Sequence, residues 1–264
     1  NVPAGRVCGP IVDDNYLKTE SGLYPDLLRE LVDGEVDIFP QKWRSIWIDI
    51  EVTEDVKAGL YPVTVILEKD GETLARAATE VTIYDAVLPK QKMMHTEWFY
   101  LDCLADYYHV PVFSEEHWEI ITNYLKEYVK RGCNMILTPL FTPALDTAVG
   151  IERTTTQLLD VRVENGNYSF GFDRVKKWID LCQSCGIEYF EICHLFSQWG
   201  AKYAPKVMAV VNGKEEQIFG WHTPAVGEYT KFLHSLLPQL TEKLREWGID
   251  KVTYFHLSDE PREE

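Results

Sequence analysis

The sequence predicts two successive parts. An antiparallel β-sandwich over residues 1–88 is followed, over residues 89–264, by α/β structure forming the first half of a (β/α)8 TIM-type barrel, strands one to four only. Three observations predict this. Up to about Tyr84 the chain shows period-two alternation broken by turns, with no helical period. After Val87-Leu88-Pro89 short apolar strands alternate with amphipathic helices, which implies a parallel sheet. The first of these strands leads into Tyr100-Leu-Asp-Cys-Leu-Ala-Asp106, without the glycine-rich phosphate loop that a dinucleotide-binding sheet requires.

In the first part, Trp43 to Val52 alternates, with Ile46, Ile48 and Ile50 on one face and Trp47, Asp49 and Glu51 on the other. Glu54 to Gly59 reads as a turn and Leu60 to Lys69 as a second strand. Asp70-Gly71 is a hairpin signal, and Thr73 to Tyr84 makes a third strand. A stretch of 88 residues is short for a sandwich, so further strands are expected upstream.

In the second part, Met93 to Leu101 reads as the first parallel strand. Glu115 to Arg131 is a helix, with Ser114 as N-cap and Gly132 as terminator. Asn134 to Thr138 is a continuously apolar strand of the kind buried on both faces. Phe172 to Cys185 is a helix ended by Gly186, and Ile187 to Leu195 is the third strand. Gly227 to Trp247 is a helix ended by Gly248, and Lys251 to Leu257 is the fourth strand. Two hairpins, turning at Asn165-Gly166 and Asn212-Gly213, each follow a strand and precede a helix. A barrel would place both on its catalytic face. Half a barrel leaves two sheet edges open and a pocket unclosed. The chain alone is therefore expected to be an inactive fragment, with activity belonging to a longer parent.

Composition excludes several classes of function. With 42 acidic and 26 basic residues the net charge is −16, which opposes binding to nucleic acid or an anionic membrane. No apolar run approaches the roughly 20 residues of a membrane span. The cysteines are scattered, and Cys182-Gln-Ser-Cys185 lies inside a helix pattern with no second pair. Reduced core thiols, no metal and no cofactor are expected, which leans towards a cytoplasmic setting. The chain begins at Asn1, so an upstream secretory signal keeps the secreted alternative open. The oligomeric state is not readable.

The chemistry concentrates in Lys251-Val-Thr-Tyr-Phe-His256-Leu-Ser-Asp259-Glu260-Pro261, a strand that stops in two adjacent carboxylates. Alternation sends His256, Ser258 and Glu260 to one side; Asp259 joins them if the strand bends before Pro261. Glycoside hydrolysis needs one carboxyl group as acid and a second group as nucleophile, base or stabiliser. Adjacency also separates two carboxyl pKa values. Two competing readings remain. One is a helix N-terminus capped by Ser258, with Asp259 and Glu260 favoured by the helix dipole. The other is a metal site of His256, Asp259 and Glu260, which lacks a second ligand cluster. Other strand ends carry Glu97-Trp98, then His194 and Trp199. With His256 these supply aromatic faces and hydroxyl partners suited to a sugar. No G-x-S-x-G elbow or activated cysteine offers a different route.

His95-Thr-Glu-Trp-Phe-Tyr-Leu-Asp-Cys103, Asn134-Met-Ile-Leu-Thr-Pro139, His194-Leu-Phe-Ser-Gln-Trp-Gly-Ala201 and His256-Leu-Ser-Asp-Glu-Pro261 together resemble glycoside hydrolase family 123 from about residue 40 onward. The resemblance implies a β-sandwich followed by a (β/α)8 barrel, with β-N-acetylgalactosaminidase activity. It also implies substrate assistance, in which the sugar's own 2-acetamido oxygen attacks the anomeric carbon. Asp259 would then orient and stabilise that group, and Glu260 would act as general acid and then base. The implied partner is a carbohydrate or glycoconjugate. A non-catalytic carbohydrate-binding protein on the same scaffold is the alternative.

Overall fold

The structure is a computed structural model that describes residues 2–4, 19–24, 28–41, 44–144, 151–197 and 200–259. It divides into two compact units, Asn1–Pro89 and Lys90–Glu264.

The first unit contains two antiparallel pairs, β1 (Val2–Ala4) with β2 (Gly22–Tyr24) and β3 (Gly59–Lys69) with β4 (Glu72–Ile83). The longer ribbon turns at Asp70-Gly71, both with positive φ (51° and 83°), as a type I′ turn demands. Val63, Leu67, Val81 and Ile83 form its half-buried face. The sandwich expectation is corrected here. Residues 44–52 form no strand, Ile46, Trp47, Ile48 and Ile50 are exposed, and no sheet packs on another among the described residues of this unit. Alternation identifies the apolar face of a segment, but a sandwich also needs a second sheet to cover that face. Among the described residues the buried core begins at Leu101.

The second unit runs α1 (Leu101–Tyr108), α2 (Glu115–Lys130), β5 (Met135–Thr138), β6 (Asp160–Glu164), β7 (Asn167–Gly171), α3 (Asp173–Cys185), β8 (Tyr189–Ile192), β9 (Val207–Val211), β10 (Lys214–Phe219), α4 (Glu228–Glu246) and β11 (Thr253–Phe255). Its centre is a parallel three-stranded sheet of order β11-β8-β5. Ile136, Leu137, Phe190 and Ile192 of that sheet meet Ile121 and Leu125 of α2 and Val175, Trp178, Ile179 and Cys182 of α3 in one core. Full burial of each such side chain contributes about 1.5–3 kcal/mol. Local signals set the helix ends. Ser114 Oγ accepts from His117 N at 3.2 Å at the start of α2, and Gly186, at φ 103°, closes α3.

The half-barrel expectation is also corrected: among the described residues three parallel strands stand where four were expected, and no eight-stranded barrel forms. The segment expected to be the first strand meets β5 only at its start, where His95 O accepts from Asn134 N and Met135 N, both at 3.1 Å. From Leu101 it is helical, because Leu101, Leu104 and Ala105 recur at helical spacing and are buried.

Both Asn-Gly hairpins form, with positive φ at Asn165, Gly166, Asn212 and Gly213. They are not separate loops. Parallel pairing of β6 with β9 (Arg162 opposite Val210, Val163 opposite Val211) joins them into one sheet of order β10-β9-β6-β7. Buried Gln157 staples the junction. Its Nε2 donates to Leu159 O (2.7 Å) and Met208 O (2.8 Å), and its Oε1 accepts from Met208 N (2.9 Å). Tyr168, Phe170 and Phe219 of this sheet pack edge-on against Phe232 of α4, with ring centroids 5.1–5.6 Å apart. Among the described residues no helix is long and apolar enough to cross a membrane.

Candidate active site

The C-terminal ends of β8 and β11 hold the candidate site, and backbone pairing fixes their relation. Beyond the strands proper, His256 N donates to Ile192 O (3.3 Å), Leu195 N to His256 O (3.2 Å) and Phe196 N to Leu257 O (3.0 Å). On the other side Cys193 N donates to Thr138 O at 3.0 Å. The parallel register therefore sets two histidines side by side. The His194 and His256 rings lie 3.9 Å apart at 40°, and Trp98 stands edge-on to them at 5.3 and 5.9 Å.

The two rings are held differently. His256 Nδ1 lies 2.7 Å from Oε1 of Glu191, a buried residue of β8. A carboxylate has no hydrogen to give, so the ring donates from Nδ1 and its Nε2 stays outside that bond. His194 is only 1% exposed, and neither of its ring nitrogens has a hydrogen-bond partner among the described residues. A buried polar group left unmatched costs about 1–3 kcal/mol. Burial is the main cause that draws the His194 pKa down from 6.5 to about 4; the neighbouring His256 acts in the same direction and Asp259 opposes. His194 is thus a neutral imidazole at neutral pH.

Asp259 completes the cluster. It is half-buried, and one ligand atom from each of His194, His256 and Asp259 falls within 4.8 Å of the others. The loop beneath is tied down by Ser258 Oγ donating to Ser197 O (3.0 Å) and by Tyr203 N donating to Ser197 Oγ (3.0 Å). Tyr229 of α4 donates its buried hydroxyl to Leu195 O at 2.5 Å. The result is a half-buried carboxylate beside two imidazoles with an aromatic edge, carried on strand ends rather than on a free loop.

Comparison with known families places the chain that carries this cluster. The profile of the glycoside hydrolase 123 catalytic domain matches residues 98–264, more than half of the chain. The chain belongs to glycoside hydrolase family 123. A solved family 123 glycoside hydrolase from Clostridium perfringens, described for glycolipid glycan hydrolysis, is similar to it at 19% identity and a TM-score of 0.60. That match covers 76% of this chain and 36% of the other, and at such identity the likeness speaks to fold alone. A comparison with curated proteins finds no match.

Within this family 123 chain the residues singled out from sequence fall into three groups. His194, His256, Trp98 and Asp259 converge. Glu97 turns away: its exposed carboxylate pairs with His95 Nε2 at 3.2 Å, while its backbone N–H donates to the Tyr128 hydroxyl at 2.7 Å. Glu260 and Trp199 lie outside the described residues, as does everything beyond Asp259 that a helix capped by Ser258 would need. Sequence reading missed Glu191. Its signal was present, since it is the one charged side chain in the apolar run Tyr189-Phe-Glu-Ile192, and such a residue requires a buried partner.

Proposed function

We propose that the protein carrying this chain is a retaining glycosidase of β-linked N-acetylhexosamine, with N-acetylgalactosamine as the preferred sugar. The single observation that carries this reading is the convergence of Asp259 with His194, His256 and Trp98 at the strand ends of a family 123 chain. In the proposed reaction the carbonyl oxygen of the substrate's 2-acetamido group attacks the anomeric carbon. Glu260 gives its proton to the departing glycosidic oxygen as that bond breaks. Asp259 accepts the acetamido N–H and stabilises the cationic oxazolinium ring. Glu260, now a carboxylate, takes a proton from water, which opens the ring with net retention. Trp98 and Trp199 supply stacking faces, and His194 and His256 pair with hydroxyl groups; Glu97, paired with His95, takes no part. Because no enzyme nucleophile is required, two adjacent carboxylates suffice where a retaining pair would stand about 5–5.5 Å apart. The glycolipid glycan of the solved relative suggests a lipid-linked aglycone as one substrate to try.

Aryl β-N-acetylgalactosaminide and β-N-acetylglucosaminide assays test this reading, with an N-acetylgalactosamine thiazoline as inhibitor. Glu260→Gln is expected to lower kcat by 10²–10⁴-fold on a poor leaving group and much less on a good one. Asp259→Asn is expected to lose rate with either. Binding of sugar without turnover of any such glycoside would replace the enzyme reading with a carbohydrate-binding one.

A further inference from the structure

The same cluster meets a second chemical specification that sugar hydrolysis does not call for. We propose that His194, His256 and Asp259 form a binding site for a divalent transition cation, zinc being the reference ion, and that the bound cation blocks the sugar site by occupying Asp259. The inhibitory clause rests on the glycosidase reading above; the binding clause does not.

Three observations support the site. First, one ligand atom from each of the three residues lies within 4.8 Å of the others. Two donors on a tetrahedral zinc at about 2.0–2.2 Å stand roughly 3.4 Å apart, so small side-chain rotations close the cluster around an ion. Second, His194 is 1% exposed and both of its ring nitrogens go without a hydrogen bond among the described residues. A neutral imidazole whose nitrogens are not used in protein hydrogen bonds among the described residues can ligate an ion. Third, the Glu191 carboxylate holds His256 at Nδ1 from 2.7 Å, which leaves Nε2 as the ring nitrogen that can ligate an ion. A carboxylate or carbonyl behind a ligating histidine is the arrangement that fixes metal-bound imidazoles. Sequence spacing offered only residues of a single strand end as ligands. The fold adds His194 from the neighbouring strand, and Glu191 behind His256.

The donor set selects the ion class. Two imidazoles and one carboxylate suit zinc, cobalt, nickel or copper, whereas calcium and magnesium take oxygen ligands. Three protein ligands leave a fourth position for water or a sugar oxygen. An ion there would draw the Asp259 oxygen away from the acetamido group, so cation and substrate exclude each other.

The test uses the chain after removal of metal by chelator. Cobalt(II) is followed by its visible d–d absorption, and zinc(II) by calorimetry and by displacement of cobalt. One equivalent is expected to bind. His256→Gln and Asp259→Asn should each weaken binding by at least about 100-fold and Glu191→Gln by about 10–100-fold. His222→Gln and His234→Gln, at exposed histidines outside the cluster, should leave it unchanged. Circular dichroism confirms that each variant folds, and Asp259→Asn, at a half-buried position, keeps the test valid should His256→Gln fail to do so. Failure of either ion to bind, or binding that survives His256→Gln and Asp259→Asn, overturns the site. Loss on His222→Gln or His234→Gln instead assigns the ion to the surface and equally overturns it. In the glycosidase assay zinc should raise KM for the aryl glycoside with kcat unchanged. Hydrolysis indifferent to zinc, or no hydrolysis at all, overturns the inhibitory clause while the binding result stands by itself.

Discussion

Replacing Gln157 by leucine tests whether one side chain holds two hairpins in a single sheet. The substitution keeps most of the volume and deletes the amide. It removes two donated bonds, to Leu159 O and Met208 O, and one accepted bond, from Met208 N. Gln157 is 5% exposed, so water does not replace the amide. Each stranded buried group costs about 1–3 kcal/mol, with carbonyls at the low end because they have a second lone pair. The expected loss is about 3–5 kcal/mol, a large share of the 5–15 kcal/mol that a domain commands. Urea unfolding followed by tryptophan fluorescence measures it, with exposed Gln183→Leu on α3 as the comparison, expected within about 0.5 kcal/mol of the parent. Gln157→Glu adds a signature. It keeps an acceptor for Met208 N but aims an anion at two carbonyl oxygens, so its deficit should shrink as the pH falls and the carboxyl gains a proton to donate. A Gln157→Leu loss under about 1 kcal/mol, no larger than that of Gln183→Leu, would refute the staple.

The remaining predictions concern buried charge and the site. Asp102, 4% exposed, takes Arg153 Nε at 2.7 Å and Nη2 at 3.0 Å, and the guanidinium lies 4.4 Å over the Tyr100 ring. Asp102→Leu is expected to cost about 3–5 kcal/mol, and adding Arg153→Leu should recover part of that; a double variant worse than the sum of the singles would count against a coupled pair. His194 has a folded-state pKa of about 4 against 6.5 unfolded, so between those values the unfolded chain binds a proton that the folded chain refuses. Its contribution is complete above pH 6.5 and is lost as pH falls towards 4, for about 3 kcal/mol in all. Urea midpoints measured in chelator at pH 7 and 4.5 should therefore fall less for His194→Gln than for the parent, and equal slopes would exclude His194 as the source.

How far the fold could be read in advance depended on whether a signal was local. The Asn165-Gly166 and Asn212-Gly213 turns need positive φ at consecutive positions, and the sequence carries residues that accept it. Ser114 and Gly186 likewise act within one turn of helix. Partner choice was not local. The alternation of residues 43–52 named an apolar face, yet nothing in it could report that no second sheet covers that face among the described residues. Met93 to Leu101 has strand composition, but Leu101, Leu104 and Ala105 already belong to a helical period that captures its end. The union of the hairpins rests on β6–β9 pairing stapled by Gln157, a polar residue whose partners lie two and fifty-one positions away. The site shows the same division. His256 and Asp259 share one strand end, so their proximity was legible. That His194 would lie 3.9 Å from His256 depended on the register of β8 with β11, which only the folded sheet sets.

Cys193 makes this site its own timer. The thiol is fully buried, with Sγ 3.3 Å from Phe141 N and 3.6 Å from Phe141 O, and burial pushes its pKa up to about 12. It therefore meets an alkylating reagent only when the end of β8 parts from the chain around Phe141, the same event that uncovers His194 next to it. Exposed Cys103 reacts without any opening and serves as the internal standard, while Cys182, deep between α3 and the sheet, reports opening of the helix. Mass-resolved alkylation thus yields separate clocks for surface, helix and site from one untouched chain. Slowing of the Cys193 clock alone by a sugar or a metal ion would mark where that ligand sits.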